Sequence, residues 1–206
     1  MTSARTSEKL MKLQLKSFFA IVGLVLSVCA CSQNAKLDFK NTDITGLQYA
    51  TEFSLPDATG KVRHLSDFKG KVVVMFFGYT QCPDVCPTTM AELSTVMQQL
   101  GPQSDQVQVL FVSLDPERDT KQIMAQYPPA FDKRFLGLVG SVAETKKIAS
   151  DFKIFYEKVP GKTPGSYSID HSAGSYVFDK EGHVRLFVRF NQGPEPIVHD
   201  LKLLLN

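Results

Sequence analysis

Val72-Val73-Val74-Met75-Phe76-Phe77-Gly78-Tyr79-Thr80-Gln81-Cys82-Pro83-Asp84-Val85-Cys86-Pro87 opens with six consecutive apolar residues and runs straight into a pair of cysteines. An apolar run without polar alternation suits a strand buried on both faces. Beyond it, Met90, Leu93, Met97 and Leu100 recur at helical spacing. The two thiols therefore stand where a buried strand hands over to a helix. They are the only cysteines beyond residue 31. Sulfurs four positions apart at such a junction can close a strained, reducible disulfide or clasp a soft metal.

The flanking patterns fix the fold class. Thr51–Leu55 and Lys61–Leu65 surround Pro56-Asp57-Ala58-Thr59-Gly60, a hairpin with a glycine-containing turn. Val107–Leu114 reads as a second buried strand, followed by a helix from Thr120 to about Tyr127 that Pro128-Pro129 end. Ser141, with Glu144 three residues on, forms a capping box for a helix over Ser141–Phe152. Pro160–Ser168, rich in Gly, Pro and Ser, reads as a loop. Ser175–Phe178 and Val184–Phe190 flank Asp179-Lys180-Glu181-Gly182 as a second hairpin. Pro194–Leu205 closes the chain as a helix with Ile197, Leu201, Leu204 and Leu205 on one face. This order predicts an α/β fold of the thioredoxin-like type: a central mixed sheet, flanking helices and an N-terminal β-hairpin. That fold places its redox site after the first central strand, where the cysteine pair stands.

The N-terminus reads as an address. Arg5, Lys9, Lys12 and Lys16 precede the uncharged stretch Phe18–Val28, which is shorter than the roughly 20 apolar residues a membrane span needs. A basic head, a short apolar core and a small residue before the cut describe a secretory signal over residues 1–30. Met11–Ser17 with Phe18–Val28 already supplies all these parts, which makes Met11 a candidate translation start. Val28-Cys29-Ala30-Cys31 resembles a bacterial lipobox with Cys31 as the lipidated residue; the alternative is an ordinary cleaved signal. The polar stretch up to Gly46 then tethers the anchor to a domain over 47–206. Localisation is expected to be extracytoplasmic, on a membrane facing the periplasm or the cell exterior. Of 23 basic and 21 acidic residues, the first 30 hold four and one, leaving 19 basic against 20 acidic in the mature chain. Nothing in that balance suggests a nucleic-acid partner. Export also puts Cys82 and Cys86 in an oxidising compartment, where an unprotected pair defaults to a disulfide.

Thiolates are soft donors that select Cu(I), zinc or iron–sulfur clusters over hard cations. Two cysteines alone cannot close a structural zinc site, which takes four protein ligands. One nitrogen would complete a three-coordinate cuprous site, and the candidates are His64, His171, His183 and His199. His64 in the first hairpin, His183 in a turn and His199 on the last helix read as exposed or locally satisfied. His171 stands two residues before the position where this fold carries the proline that touches its disulfide, in a loop that faces the cysteine pair. Pro87 disfavours helical backbone at Cys86, so the regular helix is expected to begin near Pro87. The helix dipole is expected to lower the thiol pKa values, which aids metal binding and disulfide exchange equally. Asp84, between the sulfurs, suits either a nearby cation or the same helix dipole. Met75, Met90 and Met97 read as core by their periodicity. Asp115-Pro116, at a strand end near the cysteines, suits either partner docking or a turn and cap.

Four segments, in order, resemble the Sco/SenC family of copper-handling, membrane-anchored proteins of thioredoxin-like fold: Asp67-Phe68-Lys69-Gly70-Lys71, Gly78–Pro87, Ser113-Leu114-Asp115-Pro116-Glu117-Arg118-Asp119-Thr120 and Asp170-His171-Ser172-Ala173. The resemblance runs from about Asp43 to the C-terminus. It implies a copper site, for Cu(I) and Cu(II), made by Cys82, Cys86 and His171. It also implies a metallochaperone whose client is the copper-site subunit of a respiratory haem–copper oxidase. The competing reading is a thiol–disulfide oxidoreductase that uses Cys82 and Cys86 to keep client cysteines reduced, with a peroxidase third. Redox enzymes of this fold usually carry two residues between their cysteines, and this chain has three. That spacing, and the Asp170-His171 pair, favour the metal.

Overall fold

Residues 37–206 are described by the computed structural model; the signal segment, Cys29 and Cys31 lie outside the described residues. In chain order the elements are β1 (Thr42–Asp43), β2 (Ser54–Pro56), β3 (Val62–His64), β4 (Val72–Gly78), α1 (Val85–Leu100), β5 (Val107–Ser113), α2 (Lys121–Met124) and α3 (Tyr127–Phe131). They continue with β6 (Leu136–Leu138), α4 (Val142–Asp151), β7 (Tyr156–Pro160), β8 (Tyr167–His171), β9 (Ser175–Phe178), β10 (Val184–Val188) and α5 (Pro194–Leu205).

The apolar run forms β4, and all seven of its residues are buried. It sits inside a six-stranded sheet of order β1-β10-β9-β4-β5-β6. β4, β5 and β6 are parallel, while β9 pairs antiparallel with β4 and β10 with β9. Successive side chains of a strand point to opposite faces. Val73, Met75 and Phe77 therefore join Leu110, Val112, Ile148, Ala149 and Phe152 in one core layer. Phe77 and Phe152 pack with ring centroids 5.2 Å apart, and the Tyr176 hydroxyl donates to the Phe152 carbonyl at 2.6 Å. Truncating a buried phenylalanine of this kind costs about 3–5 kcal/mol. Val72, Val74 and Phe76 face the other way, towards the side where α1 and α5 pack together. Covering both faces is why the strand carries no polar alternation. The mixed, thioredoxin-like sheet with flanking helices and the β2–β3 hairpin is the architecture the sequence predicts.

The structure departs from the sequence reading in several places. Residues 41–46, read as tether, carry β1, which pairs with β10 through Thr42↔Phe187 and Asp43↔Leu186. This segment is also clamped from the far end of the chain. The buried Asp200 carboxylate of α5 accepts the backbone N–H groups of Lys40 and Asn41 at 2.8–3.0 Å and the Asn41 side-chain amide at 2.9 Å. A two-residue edge strand has no periodicity to read. The prolines do not simply end a helix: α2 stops at Met124, and Pro128-Pro129 occupy the first turn of α3. A helix's first N–H groups have no internal partner, so prolines there lose nothing. β6 was not anticipated. The loop over Pro160–Ser168 proves to be the tip of a hairpin, β7–β8, in register from Tyr156↔His171 to Pro160↔Tyr167.

Candidate metal centre

The cysteine loop is built from the end of β4. Gly78 is the last strand residue, and a Cβ placed there would lie 2.8 Å from Cys86 Sγ and 2.9 Å from the Phe76 ring. Only a glycine lets the sulfur settle onto the strand end. The Cys82 N–H donates to the Tyr79 carbonyl at 3.2 Å, which turns the chain back. Thr80 is held by Asp119, which accepts both its N–H and its hydroxyl, the latter at 2.5 Å. Ser113 Oγ, at the end of β5, donates to the same carboxylate at 2.6 Å. Burial pushes the Asp119 carboxyl up, against the lowering effect of Ser113 and Thr80.

α1 starts at Val85, two residues before the expected Pro87, so Cys86 lies inside its first turn. Pro87, as the third helical residue, again forfeits only an N–H that had no helical partner. The Cys86 N–H instead points at Cys82 Sγ, 3.4 Å away. Asp84 occupies the N-cap position, exposed, and accepts the Thr88 hydroxyl at 3.4 Å. The expectation of a depressed pKa fails for Cys86. Its side chain is fully buried, and burial pushes the thiol strongly up, with the neighbouring Cys82 charge adding to that. Desolvation of a charge outweighs a helix-terminus dipole here. Burial therefore favours the neutral thiol at Cys86, and a cation taking the place of its proton offsets that cost. Cys82 is half-buried, and both are free thiols.

His171 ends β8 and reaches the cysteines from the opposite side. Its Nδ1 lies 2.9 Å from the Ser172 carbonyl oxygen. A carbonyl can only accept, so Nδ1 carries the ring proton and Nε2 keeps its lone pair. That lone pair faces Cys86 Sγ at 3.5 Å. The ring is fixed edge-on between Phe76 and Tyr79, with centroids 6.2 and 6.1 Å away. Burial lowers the imidazole pKa, which favours the neutral ligand form. The sulfurs of Cys82 and Cys86 and one nitrogen of His171 all lie within 4.8 Å of one another. Two soft sulfurs and an imidazole nitrogen, with one sulfur reachable from solvent, suit a thiophilic ion of low coordination number. They do not supply the four protein ligands of a structural zinc site.

The remaining candidates are dispersed. The His64 N–H donates to Asp67, and His199 Nδ1 lies 2.8 Å from Asp200. His183 joins Asp179 and Glu181 in a second cluster. There, Asp179 is already engaged by the N–H groups of Glu181 and His183 and by Arg185, as a turn requires. Met75, Met90 and Met97 are buried core residues. Asp115 is buried and ion-paired with Arg118, and it accepts the Tyr167 hydroxyl at 2.8 Å. It ties the strand end to the β7–β8 hairpin. Sequence reasoning quoted Tyr79, Thr80 and Asp119 only within longer segments and gave none of them a role at the site. Aromatic and hydroxyl residues beside a cysteine loop carry no spacing signature, and only the fold brings Asp119 under Thr80.

The SCO1/SenC family model matches residues 41–206. The protein SCO2 homolog, mitochondrial, of Bos taurus is 39% identical over 133 residues, covering 64% of this chain and 50% of that protein. The chain thus spans about half the length of that curated relative. Among solved structures, Bradyrhizobium japonicum ScoI with copper bound is 40% identical with a TM-score of 0.68, over 75% of this chain and 98% of that one. BsSco, described as a member of the Sco family of cytochrome c oxidase assembly proteins and as containing a disulfide switch, is 24% identical with a TM-score of 0.58, over 82% and 97% of the two chains. That last likeness speaks to the fold alone.

Proposed function

The chain belongs to the SCO1/SenC family, and from that premise we propose that it is an extracytoplasmic copper metallochaperone serving the copper centre of a respiratory haem–copper oxidase. The observation that carries this reading is the convergence of Cys82, Cys86 and the unprotonated Nε2 of His171. Cys86 and His171 are the fixed part of the ligand set, one packed against Gly78 and the other wedged between aromatic rings. Cys82 is the half-exposed member, at which a client's own sulfur or nitrogen can enter as one ligand leaves. Copper is cargo here, and hand-over by stepwise ligand exchange needs one accessible donor and two sheltered ones.

A second reading has its own support. A half-exposed thiol beside a fully buried one is the arrangement of an attacking and a resolving cysteine. Reduction of client cysteines is therefore a companion activity of the same loop.

Anchoring through a lipidated Cys31 belongs to this proposal. Among the described residues no helix is long and apolar enough to cross a membrane. Changing Cys31 to Ser in the full chain is expected to move the protein from the membrane fraction to the soluble exported fraction. Unchanged sedimentation with membranes refutes the anchor.

The test of the copper reading is metal stoichiometry and thiol content on protein purified without air. One copper per chain is expected, together with a thiolate-to-copper charge-transfer band when Cu(II) is supplied. Full copper binding by a Cys82→Ala/Cys86→Ala variant overturns it.

A further inference from the structure

His171 is the one member of the proposed ligand set that comes from outside the cysteine loop, and the element that carries it stands apart from the main sheet. β7 and β8 form their own two-stranded sheet, and four of the five β7 residues are exposed. An isolated pair of strands is marginal in water. Contacts beyond the pair must therefore decide where His171 stands. Ile169 is buried, and the polar contacts between this hairpin and the turn after β5 centre on Arg118. Its guanidinium carbon lies 3.6 Å from the ring centroid of Tyr167, the first residue of β8, and Nη1 donates to the Tyr167 carbonyl at 2.9 Å. Nε pairs with the buried Asp115 carboxylate, which also accepts the Tyr167 hydroxyl at 2.8 Å. The same guanidinium is 5.7 Å from the ring of Tyr79, in the cysteine loop, and that ring meets His171 edge-on. Nη2 is buried without a hydrogen-bond partner. Stacking and a fork of donors therefore hold the group, and only a planar guanidinium supplies both. The outer pair, Lys158 with Glu117 at 2.7 Å, is exposed and contributes little.

We propose that Arg118 is a positioning residue for the metal centre: layered on Tyr167 and paired with Asp115, it latches the β7–β8 hairpin to the end of β5 and so sets where His171 stands against Cys82 and Cys86. The inference rests on the copper reading above and adds a residue outside the ligand set. Tyr167 and His171 are the two ends of one five-residue strand, so a shift at the latch is carried along β8 to the imidazole. Neighbours that orient ligand side chains typically weigh about 10–100-fold in metal affinity. Arg118 acts through β8 rather than on the ring itself, which puts its effect at the lower end.

Removing the cation outright would strand a buried carboxylate, so the test keeps the charge. Arg118→Lys can still pair with Asp115 but cannot also lie flat on Tyr167 and reach its carbonyl. Tyr167→Leu, at a half-buried position, leaves the Arg118–Asp115 pair and removes the ring. Without metal, both variants should speed amide hydrogen exchange across β8 and leave β4 and β5 as in the wild type. With Cu(I) and a competing chelator, each is expected to show about tenfold lower affinity. With Cu(II), each should weaken the nitrogen coupling in the electron paramagnetic resonance spectrum that His171→Ala abolishes. In a His171→Ala background neither should lower affinity further, because a residue that acts through His171 has nothing left to position. Wild-type exchange in β8, or wild-type affinity and coupling, in both variants overturns the inference and leaves the copper reading intact. So does an equal further loss in the His171→Ala background, the mark of general damage to the fold. Failure of the wild-type protein to bind copper overturns the copper reading itself.

Discussion

Cys86 Sγ and His171 Nε2 lie 3.5 Å apart although 85 positions separate them in the chain. The contact joins the first turn of α1 to the end of β8, two elements that meet only because β9 returns antiparallel beside β4. The pair needs no ion to form: the Cys86 thiol can donate to the imidazole, and a soft cation can replace that proton. Preorganisation of this kind means a metal ligand set can assemble without a large rearrangement of the fold.

Replacing His171 with Ala separates the two readings of the cysteine loop. Copper affinity is expected to fall at least about tenfold, in line with the weight of groups that complete or orient a metal site. The Cys82/Cys86 disulfide should still form and exchange, because neither sulfur has lost its covalent surroundings. Titration with a competing Cu(I) chelator, run beside a thiol-exchange assay, makes the comparison. If exchange collapses while copper affinity stays at the wild-type value, the ligand role of His171 is wrong.

Gly78→Ala tests the seat of the buried sulfur. The added methyl would meet Cys86 Sγ at 2.8 Å and the Phe76 ring at 2.9 Å, closer than side chains approach one another. Overpacking a filled core costs about 1–3 kcal/mol. The strain here falls on a proposed ligand and on the ring that backs His171. Urea unfolding should show the lower stability, and copper titration a weaker site. A variant with both properties unchanged would show that the sulfur is not seated as described.

The central architecture was legible because its signals are long and local. Val72–Phe77 has no polar residue, Met90 to Leu100 keep helical spacing, and Ser141 with Glu144 forms the capping box seen at α4. Elements that depend on distant partners were not legible. β1 is two residues long and owes its place to β10 and to Asp200, which lies 159 positions beyond Asn41. In β8, Tyr167-Ser168-Ile169-Asp170-His171 does alternate, but its partner β7 places Glu157 and Lys158 side by side and is mostly exposed, so the hairpin has no clear period. At the site, the ligand residue types could be read off the chain. The protonation of Cys86 could not, because proximity to a helix terminus is visible in sequence whereas burial beneath Gly78 is not. The lesson is physical: residue identity sets what a group can do, and desolvation sets which form it takes.

Asp200 should contribute to the acid limb of stability. Burial alone would raise its pKa, but contacts with His199 and the N–H groups of Lys40 and Asn41 bring it below the ordinary value, about 3.9 for an aspartate. A carboxyl that titrates lower in the folded state contributes stability that is complete above the unfolded value. That contribution is lost as the pH falls through the folded one. Unfolding free energy should thus drop steeply below about pH 4. Asp200→Asn should flatten that limb and cost about 1–3 kcal/mol near neutrality, because the Lys40 and Asn41 donors lose a charged acceptor. Fluorescence-monitored urea melts of both proteins from pH 3 to 7 decide it; parallel curves would rule the assignment out.

Copper binding and folding should be linked through the thiols. A ligand that binds only the native state adds RT ln(1 + [L]/Kd) to stability, about 4 kcal/mol at a thousandfold excess over Kd. The added stability requires both sulfurs as donors, so oxidising Cys82 and Cys86 to a disulfide should abolish it. The burial of Cys86 sharpens the contrast, because desolvation favours its neutral thiol and a bound cation offsets that cost. Thermal melts of reduced and oxidised protein, each with and without Cu(I) under argon, give four curves. A rise in melting temperature confined to the reduced, copper-loaded sample is expected. Equal shifts in both redox states would mean that copper binds elsewhere on the chain, and the three-residue site would fall with that result.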